Sequence, residues 1–134
     1  MTHEKTVLVV EDSSTQALAL RMTLEQAGLN TLHAQNGREG ISMAQEFLPD
    51  VIVMDVEMPE MNGFEAAMYL KADDLTAHIP IVILTAHDNE SFLRNGMNTG
   101  AIDFIPKDIF SGSVLLDTLH QLGVFKNPDG EHDS

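Results

Sequence analysis

Four short apolar segments of the chain are each followed by side chains that could take part in phosphoryl or metal-ion chemistry. Glu11 and Asp12 follow the first segment, Asp55 follows the third, Thr85 follows the fourth, and Lys107 stands just past the fifth. An acidic residue after a buried strand is most often a helix cap or a solvated loop residue, so no single position indicates a site. The repetition at four segment ends does indicate a site, because it predicts that these five side chains meet.

The five side chains form a chemically consistent set. Three carboxylates in one cleft repel each other unless a cation joins them, and their hard oxygen atoms suit Mg²⁺ or Mn²⁺. A carboxylate can also attack phosphorus and give an acyl phosphate, whose three equatorial oxygens need compensating charge during transfer. The cation would hold one such oxygen, the Thr85 hydroxyl with backbone N–H groups a second, and the Lys107 ammonium a third. The sequence has neither a glycine-rich phosphate loop nor a Ser-His-Asp pattern.

The elements that must position these side chains follow from the hydrophobic pattern. Apolar, β-branched runs predict strands at Thr6–Val10, 31–35, 51–54, 81–84 and 103–105. Helical patterns cover the segment from Ser13 or Ser14 to about Ala27, where Gly28 can stop the helix, and then 38–47, 63–72, 88–98 and 114–122. Leu20, Leu24 and Ala27 are expected on the inward stripe of the first helix, and Leu115, Leu119 and Leu122 on that of the last.

Five strands that alternate with five helices predict an α/β fold: a doubly wound, parallel, five-stranded sheet with helices on both faces. In open sheets of this kind, ligands bind beyond the carboxyl ends of the strands. The reactive side chains stand at those ends, so the pattern of elements and the chemistry agree.

Composition limits the function classes. A length of 134 residues fits one domain, and we expect it to span residues 1–125, followed by a polar, flexible tail over 126–134. The net charge of −14 argues against direct binding of nucleic acid, since such a surface repels phosphates. The chain has no cysteine, no apolar run of about 20 residues and no secretion signal, so we expect a cytoplasmic protein without a disulfide or a membrane segment.

The same residues give the chain a family resemblance. It resembles the receiver domains of two-component response regulators over about residues 5–125. The motifs that carry the resemblance are the pair Glu11-Asp12, the block Asp55-Val56-Glu57-Met58-Pro59-Glu60-Met61-Asn62-Gly63, the pair Thr85-Ala86, and the run Gly100-Ala101-Ile102-Asp103-Phe104-Ile105-Pro106-Lys107. The resemblance implies a (βα)5, flavodoxin-like sheet with strand order 2-1-3-4-5.

The resemblance also implies a role for each matching residue. Asp55 would be the phosphoacceptor, Thr85 and Lys107 the phosphoryl-binding pair, and Phe104 the aromatic switch that acts with Thr85. The implied ligands of Mg²⁺ or Mn²⁺ are the carboxylates of Glu11, Asp12 and Asp55 and the backbone carbonyl of Glu57. Glu57 and His87 stand two residues past Asp55 and Thr85, where family members tune hydrolysis of the phosphoryl group. One departure is the order Pro106-Lys107-Asp108, because the family commonly has proline after the lysine.

The implied partners are a histidine kinase or a histidine phosphotransfer protein as phosphoryl donor, and a downstream protein that binds the face formed by residues 88–122. Neither nucleic acid nor a membrane is expected as a direct partner. Two other function classes stay open at this point. One is an aspartyl-phosphate phosphatase of the haloacid dehalogenase type, which would turn over a phosphomonoester. The other is an interaction module that keeps the fold without being phosphorylated, although the chain retains both Asp55 and Lys107.

Overall fold

The computed structural model describes residues 5–56, 58–85, 103–106 and 112–123. Their elements are β1 (Thr6–Val10), α1 (Ser14–Gln26), β2 (Asn30–Ala34), α2 (Gly37–Phe47), β3 (Val51–Asp55), α3 (Gly63–Ala72), β4 (Ile81–Thr85), β5 (Asp103–Pro106) and α4 (Gly112–Gln121). All five predicted strands and four of the five predicted helices are present. The helix predicted over 88–98 lies outside the described residues.

The five strands form one parallel sheet in the order β2-β1-β3-β4-β5, which confirms the predicted order. The central strands are apolar on both faces because helices cover both sides of the sheet. Val7 and Val9 of β1 pack on the face that α1 and α4 cover, whereas Leu8 and Val10 pack on the face that α2 and α3 cover. No helix in the described part of the chain is long and apolar enough to cross a membrane.

Helix α1 begins and ends through local signals that the sequence contains. The Ser13 side chain caps its first turn by accepting a hydrogen bond from the Gln16 N–H at 3.3 Å. At its end Gly28 has a left-handed φ of 91°, and the N–H groups of Gly28 and Leu29 donate to the carbonyls of Glu25 and Leu24. Only a residue without a side chain adopts this turn at little steric cost, so the predicted stop at Gly28 is confirmed.

Several boundaries differ by one or two residues from the prediction. Strands β3 and β4 continue through Asp55 and Thr85, because the parallel ladder extends one residue past each apolar run. Strand β2 begins at Asn30, whose N–H donates to the Lys5 carbonyl at 2.9 Å, and α4 begins at Gly112. On α1, Ala27 is the C-cap and is only half-buried, so the inward stripe consists of Ala17, Leu20 and Leu24. On α4, Leu115 and Leu119 are buried and Leu122 packs beside them, as predicted.

Candidate functional site

The candidate site lies at the carboxyl edge of the sheet, where β1 and β3 end side by side. Val10 pairs with Met54, so the next residue of each strand, Glu11 and Asp55, emerges at the same level. From β1 the chain continues to β2, which lies on one side of β1 in the sheet, while β3 lies on the other side. At such a switch in strand order, open parallel sheets have a crevice beyond the strand ends in which ligands bind.

Glu11, Asp12 and Asp55, hereafter the acid cluster, meet in this crevice. Each residue contributes one carboxylate oxygen to the cluster, and these three oxygens lie within 4.8 Å of one another. Glu11 and Asp55 are only 1% and 3% exposed, whereas Asp12 is exposed, so the cluster opens to solvent on the Asp12 side. Three carboxylates this close strongly favour a bound cation, and their hard oxygen ligands fit a divalent metal ion such as Mg²⁺. The sequence-based prediction that these three carboxylates converge is thus confirmed by their placement.

The connection from β1 to α1 is fastened by hydrogen bonds around Glu11. Its N–H donates to the Ala34 carbonyl at 3.0 Å, and its carboxylate Oε2 accepts from the Ser13 N–H at 3.1 Å. The carbonyl of Glu11 lies 2.9 Å from Nε2 of His33, a half-buried residue of β2. Sequence reasoning missed His33, because its spacing from the other histidines suggested no ligand role. Its position near the end of the strand next to β1 was the signal that could have found it.

The connection from β3 to α3 depends instead on close backbone approach. The N–H of Val56 donates to the Leu84 carbonyl, and the N–H of Gly63 donates to the Val56 carbonyl, both at 2.9 Å. A Cβ atom on Gly63 would stand 2.5 Å from the carbonyl oxygen of Asp55, so only glycine allows α3 to begin this close to the acid cluster.

The first turn of α3 and the loop before it are also specified locally. Asn62 and Glu65 form a reciprocal capping box, with hydrogen bonds of 2.9 and 3.0 Å. Glu60, in the loop that precedes the cap, has a left-handed φ of 70°. Such a conformation is uncommon for a residue with a side chain, and it occurs here within the segment that borders the site.

The other predicted site residues are placed only in part. Thr85 is the last residue of β4, which adjoins β3, so its backbone reaches the same edge of the sheet as Asp55. Phe104 is in β5, and its backbone pairs with Ile83 of β4. Glu57, His87 and Lys107 lie outside the described residues.

Comparison with known proteins identifies the family. A family model described as the response regulator receiver domain matches residues 7–120. The chain belongs to this family. Receiver domains take phosphoryl groups from histidine kinases and serve phosphoacceptor signalling, and membership of this family is consistent with a signalling switch rather than a catalytic enzyme.

Individual relatives agree with this membership. Protein PilH of Pseudomonas aeruginosa is 38% identical over 109 residues, which are 81% of this chain and 90% of PilH. Response regulator PleD of Caulobacter vibrioides is 39% identical over 105 residues, which are 77% of this chain but 23% of PleD. The chemotaxis protein CheY4 of Vibrio cholerae has a solved structure with a TM-score of 0.83 and 33% identity, covering 89% of this chain and 98% of that one. Receiver domains like this one therefore occur both as most of a short protein and as a part of a longer one.

Proposed function

We propose that Asp55 is the phosphoacceptor of this receiver domain. The observation that carries the proposal is the position of Asp55 at the carboxyl end of a central strand, almost fully buried, with Glu11 and Asp12 beside it. A buried carboxylate among other carboxylates is stabilised by a metal cation or a positively charged side chain, and a phosphoryl-transfer site provides such groups. A phosphorylation-independent module would have no need to keep three carboxylates together.

The proposed transfer joins Asp55 to the phosphoryl group of a phosphohistidine. A carboxylate oxygen of Asp55 attacks the phosphorus atom, and the P–O bond forms as the P–N bond breaks. The bonding electron pair goes to the imidazole nitrogen of the donor, which takes up a proton from solvent. Mg²⁺ or Mn²⁺, held by the acid cluster and the Glu57 carbonyl, would neutralise charge on a phosphoryl oxygen. The Thr85 hydroxyl and the Lys107 ammonium would bind the remaining oxygens.

Labelling with a small phosphodonor tests this assignment. The protein is incubated with acetyl phosphate and Mg²⁺, and its intact mass is measured. We expect one added phosphoryl group on the wild type and on Asp74→Asn, an exposed control, and none on Asp55→Asn. Equal labelling of Asp55→Asn would contradict the proposal. Repeated turnover of a phosphomonoester by the wild type would instead favour the haloacid dehalogenase type of phosphatase.

We further propose that the exposed face of α1 receives the histidine kinase or histidine phosphotransfer protein. Leu18 and Met22 are 58% and 50% exposed, and they stand one helical turn apart on the helix that begins beside Asp12. Exposed apolar side chains this close to a reactive centre suit a protein partner. Polar substitution of both should slow phosphorylation by a phosphohistidine protein and leave labelling by acetyl phosphate unchanged. Leu75, equally exposed but outside this face, provides the control.

The proposed output is a change in the face formed by residues 88–122, where a downstream protein would bind. Phosphorylation adds charge and acceptor oxygens near the end of β4, and Thr85 and Phe104 would transmit the change. Amide chemical shifts with and without beryllofluoride test this in the wild type and in Phe104→Ala. Shifts confined to the Asp55 region in the wild type would contradict it.

In the same scheme Glu57 and His87 set the lifetime of the phosphoryl group, which decay measurements on a double alanine variant would reveal.

A further inference from the structure

A side chain of the neighbouring strand contacts the backbone of the acid cluster. His33 of β2 places its Nε2 atom 2.9 Å from the carbonyl oxygen of Glu11. A carbonyl oxygen only accepts hydrogen bonds, so Nε2 must carry the proton and donate it. The histidine thereby holds the backbone carbonyl of Glu11, the first residue of the acid cluster.

The geometry of the sheet explains why this contact forms. In the parallel pairing of β1 with β2, His33 stands opposite Val9, two residues before Glu11, and its side chain therefore lies on the face that α1 covers. β2 is an edge strand, and His33 is half-buried there, which allows its ring to reach along the edge to the end of β1.

We propose that His33 is a positioning residue that sets the affinity of the acid cluster for a divalent cation. The peptide group between Glu11 and Asp12 is planar, so a bond that fixes the Glu11 carbonyl also fixes the direction in which Asp12 leaves β1. Asp12 is the exposed member of the cluster, and the residue after it, Ser13, donates its N–H to the Glu11 carboxylate. The His33 contact thus adds to the hydrogen bonds that fix the backbone from Glu11 to Ser13, which carries two of the three carboxylates.

This role differs from that of a metal ligand and from that of an ordinary core residue. Groups behind the ligands of a metal site orient them, and their loss typically weakens metal binding or activity about 10–100-fold. His33 acts through a backbone carbonyl, so we expect an effect near the lower bound, about tenfold in cation affinity. The inference rests on the proposed function, because it assumes that the acid cluster binds the cation.

Two amide substitutions separate the hydrogen bond from other properties of the side chain. The amide nitrogen of glutamine reaches about as far from the backbone as Nε2 of histidine, whereas that of asparagine reaches only as far as Nδ1. His33→Gln should therefore keep the contact, and His33→Asn should lose it. Thr31→Ala is the matched control: Thr31 lies two residues earlier on the same face of β2, is half-buried, and hydrogen-bonds with Arg21 and Glu25 instead of the acid cluster.

The experiment measures binding of Mn²⁺ to the full chain from the electron paramagnetic resonance signal of the free ion. Melting temperatures in EDTA record stability separately. We expect the wild type, His33→Gln and Thr31→Ala to have similar dissociation constants, and that of His33→Asn to be about tenfold higher. A role in stability alone would lower the melting temperature without changing the dissociation constant.

Four results would overturn the inference. The first is an unchanged dissociation constant for His33→Asn. The second is an equal loss of affinity in Thr31→Ala, and the third is an equal loss in His33→Gln. In these three cases the wild type still binds Mn²⁺, so the proposed cation site stands. The fourth is a wild type that does not bind Mn²⁺, which would remove the proposed cation site along with the inference.

Discussion

The two ends of the sheet treat ionised side chains in opposite ways. At the carboxyl end, the acid cluster gathers three carboxyl groups, with one oxygen of each within 4.8 Å of the others, and two of the three residues are buried. Near the amino end, where α3 leads into β4, Asp73 has two donors of its own: the Leu75 N–H at 3.0 Å and the Gln45 amide at 2.8 Å. Both hydrogen bonds lower the pKa of Asp73, and the one from Leu75 has the larger effect.

The charged group of Lys71, in the same region, is also hydrogen-bonded to nearby groups of the chain. Its ammonium donates to the carbonyls of Ala77 and Ile79 at 3.0 and 2.7 Å. Partial burial lowers the pKa of Lys71, and the two hydrogen bonds offset part of the lost solvation. At the amino end, then, charged groups link the chain to itself.

The difference indicates what each end contributes. Carboxylates held together at the carboxyl end prepare a binding site at a cost in stability, whereas the carboxylate near the amino end helps to hold α3 in place. The same chemical change, from aspartate to asparagine, should therefore have opposite effects on stability at the two ends. The four predictions below test this contrast and the backbone features that support the site.

The largest effect is expected at Gly63, because its backbone contact forces α3 toward the acid cluster. Gly63→Ala would place a Cβ atom 2.5 Å from the Asp55 carbonyl oxygen, and we expect it to lower the free energy of unfolding by about 2–3 kcal/mol. Gly40→Ala is the comparison, since its added Cβ would be 2.9 Å from a methyl group of Val10. Urea unfolding of each variant measures the change.

A double mutant distinguishes backbone crowding from side-chain crowding. Val10→Ala combined with Gly40→Ala should cost less than the sum of the two single substitutions, because it removes the methyl groups that the new Cβ meets. At Gly63 the opposing atoms belong to the backbone, so no neighbouring truncation offers this relief. A Gly63→Ala variant as stable as the wild type would contradict the structural account of this connection.

The second prediction concerns the caps of the two helices that begin beside the acid cluster. Asn62→Ala removes half of a capping box and should cost about 1–2 kcal/mol, whereas Ser13→Ala loses a single bond of 3.3 Å and should cost about 0.5 kcal/mol. Thermal unfolding in EDTA measures both changes without a contribution from metal binding. Equal costs would show that the shorter cap bond, 2.9 Å at Asn62 against 3.3 Å at Ser13, stabilises its helix no more than the longer one.

The third prediction tests repulsion within the acid cluster. In metal-free protein, Asp12→Asn should raise the free energy of unfolding by about 1 kcal/mol, a value reduced by the exposure of Asp12 to solvent. Millimolar Mg²⁺ should stabilise the wild type by binding its folded state and should stabilise the variant far less. Urea titrations with EDTA and with Mg²⁺ measure both effects. A destabilised Asp12→Asn variant in EDTA would contradict the contrast between the two ends.

Much of this arrangement followed from the sequence because its causes are local. The apolar runs that became β1, β3 and β4 are buried on both faces, and parallel pairing brings their final residues to one edge. The strand order that makes β1 and β3 neighbours came from the family resemblance, and with that order Glu11 and Asp55 must lie near each other. The end of α1 at Gly28 was equally predictable, because the signal is a property of one residue.

The features that the sequence did not reveal depend on contacts across the fold. The hydrogen bond from His33 to the Glu11 carbonyl joins residues 22 positions apart, and that from Gln45 to Asp73 joins residues 28 positions apart. Strand β2 is also half-exposed along most of its length, so its pattern is weak and gives no indication of which side chain reaches the site. Such contacts depend on register and side-chain direction, which composition and periodicity do not specify.

The smallest effect is expected at Asp73, and its value lies in its sign and its pH dependence. Hydrogen bonds from Leu75 and Gln45 lower the pKa of the folded-state carboxyl group, so its ionised form is favoured by folding. The resulting stabilisation is fully present above the usual carboxyl pKa and is lost as the pH falls through the lowered value. Asp73→Asn should therefore be slightly less stable than the wild type at neutral pH, opposite in sign to Asp12→Asn, and the difference should shrink below about pH 4. Urea unfolding over this pH range measures it, with the exposed neighbour Asp74→Asn as the control. A neutral-pH gain in stability for Asp73→Asn would show that removing charge stabilises both ends alike, and that the contrast between them does not hold.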